Sequence, residues 1–183
     1  MILWCIRHAP VSLPPGTCYG ATDLPADADL TRAAAQRWAS QLPDGARLRV
    51  SALGRARQLA RAVLDLRPSL AEATVDARLN EMDFGRWEQA TWDAVGHEAV
   101  DDWLADFAHF PAGGGESTQA VIDRVAAVID EERALGGHPV WVTHAGVIRS
   151  ARYIADGGAR PIRSAQDWPR TAPEPGGATR IRL

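Results

Sequence analysis

The apolar run Met1–Ile6 stops abruptly on Arg7-His8, and Ala9-Pro10 follows. A short apolar run that ends this way reads as a buried first strand delivering two polar side chains at its carboxyl end. Open α/β sheets bind ligands just beyond the carboxyl ends of their strands. Arg7-His8 is therefore the seed of a site, and the fold turns on whether other strands end in the same manner.

Two do. Leu48–Leu53 reads as a second strand stopping at Gly54-Arg55, with a helix from Ala56 to Leu66 closed by Pro68. Pro139–Thr143 is the clearest internal strand; it ends in His144-Ala145-Gly146, and a helix follows from Val147 to about Asp156. The prolines and glycines between Ala9 and Pro25 forbid a helix and predict a long ordered loop. Leu30–Leu42 reads as the first helix, with Thr31 as its cap. Thr74–Leu79 reads as a short strand, and Trp87–Phe110 as helical with a break near Gly96, Trp92 and Trp103 being core residues. Glu116-Ser117 begins a helix reaching about Leu135, with Val121, Val125, Val128 and Ile129 as its apolar stripe. The stretch 157–177 is rich in Pro, Gly and Arg, and Thr179–Leu183 reads as a final edge strand. The 183 residues suit a single domain, 1–183, folded as a three-layer α/β/α sandwich around a mostly parallel sheet.

Composition narrows the function. The chain has no Lys, so any anion site must be built from Arg, His or backbone N–H groups. A net charge of -3 gives no basic field for nucleic acid or an anionic membrane. No apolar run approaches the length of a membrane span, and no signal segment opens the chain. Cys5 and Cys18 read as free thiols of a reducing cytoplasm, where the chain is expected to reside. No cofactor is implied, and the sequence shows no carboxylate cluster of the kind that holds Mg²⁺. The sequence leaves the oligomeric state open.

In a parallel sheet all three strand ends lie on one edge. Arg7, His8, Arg55 and His144 then converge, joined by whatever the Leu79-Asn80-Glu81 junction supplies. Arg presents a planar fork that matches phosphate oxygens, and helix N-termini at these junctions add N–H groups. Such a site suits a small phosphorylated metabolite. His97, His109 and His138 lie in polar or loop contexts and are assigned nothing.

Five motifs now stand in order: Arg7-His8 after the first strand; Ser51-Ala52-Leu53-Gly54-Arg55-Ala56-Arg57-Gln58; Leu79-Asn80-Glu81 running on to Trp87-Glu88; Gly114-Gly115-Glu116-Ser117; and Val142-Thr143-His144-Ala145-Gly146-Val147-Ile148-Arg149. Together they resemble the histidine phosphatase (phosphoglycerate mutase-like) superfamily over nearly the whole chain. Within it, Cys18–Pro25 is similar to the branch of α-ribazole phosphatases of cobalamin synthesis. The resemblance implies that His8 is the nucleophile that becomes phosphohistidine. Arg7 and Arg55 would hold the phosphoryl oxygens, and His144 would contact the same group. Glu81 would protonate the leaving oxygen, with Asp83 as the rival acid. Covalent catalysis by a neutral imidazole and proton donation by a carboxylic acid fit these residue types.

Some positions depart from the family pattern. Ala9-Pro10 stands where Gly-Glu is common, and Ala145 where Gly is usual. Tyr19 and Gly20 are then expected to supply backbone contacts to substrate, beside Ala145 at the helix start. The activity implied is metal-independent hydrolysis of a phosphomonoester. Its rivals are a mutase, disfavoured by the short chain, and a phosphate-binding module without turnover.

Overall fold

The computed structural model describes residues 1–183. Five strands, β1 (Ile2–Arg7), β2 (Arg47–Val50), β3 (Thr74–Val75), β4 (Pro139–Thr143) and β5 (Ala178–Arg182), form one sheet in the order β3-β2-β4-β1-β5. The first four pair in parallel, and β5 closes the edge beside β1 in the antiparallel sense. Six α-helices accompany them: α1 (Ala28–Ala39), α2 (Gly54–Leu66), α3 (Trp92–Val95), α4 (His97–Ala105), α5 (Thr118–Leu135) and α6 (Ala145–Ala155).

Side chains of a strand alternate between the two faces of its sheet. Trp4, Ile6, Leu48 and Val142 pack with Leu59 and Val63 of α2 and with the alanines of α1. Leu3, Cys5, Trp141 and Ile181 pack on the other side with Ile122 and Ile129 of α5 and Ile148 of α6. These two cores make the three-layer sandwich that the strand pattern predicts. Every residue of β4 is buried, which is why it reads as an uninterrupted apolar run. Cys5 and Cys18 are buried free thiols. No helix is long and apolar enough to cross a membrane.

Element ends depart from the sequence expectation where side chains compete for backbone groups. Asp27, not Thr31, caps α1, its Oδ1 accepting from the Leu30 N–H at 2.8 Å. Thr31 lies in the first turn and donates its hydroxyl back to the Asp27 carbonyl. The strand β2 stops at Val50 because the Ser51 hydroxyl and the Ala52 N–H both donate to Asn80 Oδ1. Thr74–Leu79 is extended only to Val75; the Asp76 carboxylate accepts from the Arg78 N–H and caps a 3₁₀ turn over Ala77–Leu79.

The largest difference lies between Trp87 and Phe110. The Glu88 carboxylate accepts from the N–H groups of Gly20, Ala21, Thr22 and Phe84, which draws the chain into a turn instead of a helix. Gln89 takes a φ of 66°, and helix resumes only at Trp92, capped by Thr91. The stretch 157–177 holds no α-helix, as its Pro and Gly content predicts. It returns over the end of β1, where Gly176 donates to the His8 carbonyl at 2.8 Å and Gly177 accepts from the Arg7 N–H at 2.9 Å.

Candidate active site

The carboxyl ends of β1, β2 and β4 share one edge, held in register by His8 N–H to Thr143 O at 3.0 Å and Ser51 N–H to Val142 O at 3.1 Å. This register brings His8, Arg55 and His144 together as the strand ends predict. The two imidazoles lie 5.0 Å apart between centroids, and Arg55 Nε stands 3.3 Å from His8 Nε2.

His8 is almost wholly buried, with Nδ1 2.7 Å from the Ala9 carbonyl. A carbonyl only accepts, so Nδ1 carries the proton and Nε2 keeps its lone pair. Burial pulls the His8 pKa down to about 3; the bond to Ala9 opposes this, and the charges of Arg55 and Arg7 add to it. The ring is therefore neutral near pH 7, and its Nε2 lone pair, to which the Arg55 Nε–H donates, is the nucleophilic position.

His144 is fully buried and its protonation follows from a chain of bonds. The Ala52 N–H donates to Asn80 Oδ1 at 2.8 Å, which identifies that atom as an acceptor. The Ser51 hydroxyl must then donate to it, also at 2.8 Å. Ser51 Oγ is left to accept from His144 Nε2 at 2.7 Å. His144 Nδ1 has no partner in the protein. Burial, together with the charges of Arg55, His8, Arg124 and Arg7, holds His144 well below the usual imidazole range.

Both guanidiniums are oriented by neutral groups. Arg55, fully buried at the start of α2, donates to the carbonyls of Thr22 at 2.7 Å and Gly20 at 2.5 Å. Burial lowers its pKa, which the charges of Glu81, Tyr19, Asp23 and Glu88 only partly offset. Arg7 donates to the Pro173 carbonyl at 2.9 Å, and its Nε is buried without a partner. Neither forms a salt bridge with a carboxylate. Two helices also start here, α2 and α6, and neither Leu53 nor His144 closes its helix with a side-chain cap. Ala145 opens α6, so its N–H lacks an intrahelical partner. The first N–H of α2 is already taken, Gly54 donating to Asp23 Oδ1 at 2.6 Å, so the anion site is made by the two guanidiniums without a carboxylate partner and by the Ala145 N–H.

Glu81 sits at the same edge. Both its carboxylate oxygens lie 3.1 Å from the Gly146 N–H in the first turn of α6. A Cβ at position 146 would collide with Glu81 Oε1, so glycine there lets the carboxylate reach the helix. Asp83 is exposed and accepts from the Gly85 N–H, away from the cavity.

Gly20 takes another role than the sequence suggests, while Tyr19 lies at the cavity. The Gly20 N–H is engaged by Glu88 at 2.9 Å, while its carbonyl accepts from Arg55; Gly20 orients Arg55 instead of offering its N–H to a ligand. The Tyr19 ring lies 5.3 Å from the Arg55 guanidinium carbon and lines the cavity. That cavity, of about 300 Å³, opens beside the strand ends between Arg7, Glu81 and Ala145. Trp92 and Trp103 belong to its wall, with Phe84 edge-on to both, and are not simply core as expected. A wall aromatic and a core aromatic have the same helical spacing, so periodicity does not separate them. Sequence reasoning also missed Ser51, Asn80 and Glu88 as supports. All three stand in the motifs quoted above, and a search there for partners of His144 and Arg55 could have found them. No group of three or more His, Cys, Asp or Glu side chains is placed to hold a metal ion.

The sequence matches the histidine phosphatase superfamily (branch 1) over residues 3–168. The chain belongs to that superfamily. Its fold is that of solved relatives. TTHB049 from Thermus thermophilus is 27% identical, with a TM-score of 0.74 over 99% of this chain and 93% of that one. The mycobacterial glucosyl-3-phosphoglycerate phosphatase Rv2419c is 26% identical, with a TM-score of 0.71 over 84% and 78% of the two chains. A protein described as mycobacterial hydrolase 2, 24% identical, shares the fold with a TM-score of 0.79 over 98% and 80%. No curated protein matches the chain. Membership of this superfamily makes the chain a phosphatase or phosphoryl-transfer enzyme.

Proposed function

We propose that the chain hydrolyses phosphomonoesters through a phosphohistidine on His8. The observation that carries this reading is the neutral, tautomer-fixed His8 beside two guanidiniums that no carboxylate neutralises. Arg7, Arg55 and the Ala145 N–H would receive the phosphoryl oxygens. His8 Nε2 attacks phosphorus as the ester P–O bond breaks, and Glu81 delivers its proton to the departing oxygen. Binding of the dianion raises the affinity of His144 for a second proton at Nδ1, which then donates to a phosphoryl oxygen. Glu81, now a carboxylate, takes a proton from water as that water attacks phosphorus. The N–P bond breaks, phosphate leaves and His8 is restored. Phosphoryl transfer needs mainly positioning and charge stabilisation, which these groups supply without a resident metal.

Among substrates, α-ribazole 5′-phosphate is our specific proposal, with a place in cobalamin synthesis. Two observations support it: the Cys18–Pro25 loop, and the aromatic wall of Tyr19, Phe84, Trp92 and Trp103, which suits a flat base. Glucosyl-3-phosphoglycerate is the second candidate, on likeness to the mycobacterial phosphatase. Steady-state kinetics with both esters and plain sugar phosphates ranks them; an equal kcat/KM for all would overturn the assignment. Rapid quench should trap an acid-labile, base-stable phosphoenzyme in the wild type. His8→Ala should abolish it together with nearly all turnover, and normal turnover by a folded His8→Ala protein would defeat the mechanism.

A further inference from the structure

Five buried side-chain polar atoms in this chain lack a protein partner: Arg7 Nε, Trp103 Nε1, Thr118 Oγ1, His144 Nδ1 and Arg149 Nε. Leaving a buried donor or acceptor unpaired is costly, so such atoms are rare and call for an explanation. Four of the five residues line the one cavity beside the strand ends, and His144 adjoins its Ala145 wall. Arg7 and His144 are accounted for by the phosphoryl group. Trp103, Thr118 and Arg149 are not, because they come from α4, α5 and the face of α6 beyond its first turn.

The three share a chemistry. The indole and guanidinium nitrogens can only donate, and the hydroxyl can donate. No carboxylate pairs with Arg149, whose remaining hydrogen bond is a long one, 3.5 Å to the Arg170 carbonyl. Thr118 is 2% exposed, and it stands next to the cap of α5, where Ser117 already serves the helix terminus. Around these donors the cavity is aromatic, with Phe107 beside Trp103 and Trp168 beside Phe107. A ligand group that fits must be flat or apolar over most of its surface and must carry a hydrogen-bond acceptor.

We propose that Trp103, Thr118 and Arg149 form a leaving-group subsite that selects phosphomonoesters whose alcohol portion carries a second acceptor, best an anionic one. The inference deepens the hydrolase reading and rests on it, but the subsite can be tested by binding alone. The returning segment 168–173 serves both ends of the cavity: the Pro173 carbonyl orients Arg7, the Arg170 carbonyl steadies Arg149, and Trp168 completes the wall.

The probes are 3-carboxybenzylphosphonate and 3-methylbenzylphosphonate, which cannot be hydrolysed and differ only in the acceptor. Titration calorimetry on the whole protein should show the carboxylate compound bound at least tenfold more tightly, the scale of one charge-assisted hydrogen bond. Arg149→Met should reduce that ratio roughly tenfold, and Trp103→Phe should reduce it severalfold. Two variants on different helices guard against one that fails to fold. A wild-type ratio near one, or a ratio that neither substitution changes, overturns the subsite, and the unpaired donors are then served by water. The corresponding carboxylate and methyl benzyl phosphates, assayed for turnover, keep the two readings apart. Turnover without preference retains the hydrolase and removes the subsite. Preferential binding that depends on Arg149, without turnover of either ester, retains the subsite and removes the hydrolase.

Discussion

Two groups of arginines in this chain live under opposite conditions. At the β3 edge of the sheet, Arg47, Arg49 and Arg78 meet Asp76, Glu131 and Glu132 in a connected set of ion pairs between 2.7 and 3.0 Å. Trp141 Nε1 adds a bond to Glu132. At the carboxyl edge, Arg7 and Arg55 meet only carbonyls and histidine. The consequences differ in sign. Hydrogen bonds to Glu131 and Asp76 push the Arg78 pKa up, whereas burial pushes that of Arg55 down. A saturated arginine stabilises the fold, while one left short of negative charge is ready for an anion. Composition cannot tell these apart, since every basic residue here is Arg.

Substituting one arginine from each group breaks the comparison most sharply. Arg55→Met should lower kcat roughly 10²–10³-fold, the scale for losing one donor to developing phosphoryl charge. Its stability should change little, because the substitution removes a buried charge that no carboxylate balances. Arg49→Met should do the reverse. It leaves Glu132, 2% exposed, short of a partner and should cost about 3 kcal/mol of unfolding free energy. Its kcat/KM per folded molecule should stay within about twofold, as expected for distant sites. Urea denaturation beside steady-state kinetics reads both axes; activity loss in Arg49→Met without loss of stability would remove the distinction.

A smaller effect isolates Glu81, the carboxylate at the start of α6. Glu81→Gln keeps the bond from the Gly146 N–H and loses the acid. An alkyl phosphate, which leaves as an alkoxide, should slow by roughly 10²-fold, and a nitrophenyl phosphate far less. Equal losses on both esters would reduce Glu81 to a group that merely balances Arg55.

How much of this is legible in the sequence follows from what each feature depends on. Strand ends are readable because an apolar run that stops on Arg7-His8 or His144 states both the strand and its terminus. The three-layer fold follows from the parallel order of those runs. The orientation of the arginines is not readable, since it rests on the carbonyls of Gly20, Thr22 and Pro173, which any residue possesses. Thr31 passes for a cap because Asp27, four residues earlier, competes for the same role. The segment after Trp87 escapes because Glu88, a good helix former by propensity, spends its carboxylate on four distant or turn N–H groups. Arg149 and Thr118 look like ordinary helix residues until the cavity shows that their polar atoms lack partners.

The two regions should also separate along the pH axis. The His8 pKa falls from its ordinary 6.5 to about 3 on folding, so the unfolded chain binds more protons between those values. Unfolding free energy must then drop as pH falls below about 6.5, by up to about 1.4 kcal/mol per pH unit for this ring. His144 is lowered as well and acts in the same direction. Burial would raise Asp76, but bonds from Arg78 and Arg49 outweigh it and hold its pKa at about 2. Its contribution is present above an ordinary carboxylate pKa of about 4 and is lost only as pH falls from there toward 2. Acid should therefore loosen the molecule in two stages, the starved edge first. In urea melts taken between pH 7 and pH 3, His8→Asn should flatten the upper part of the curve, leaving only the slope that His144 supplies. Asp76→Asn should leave the upper part unchanged and flatten the part below pH 4. If His8→Asn leaves the slope between pH 6.5 and pH 4 as steep as in the wild type, His8 is not held neutral by its burial, and the nucleophile loses its main structural support.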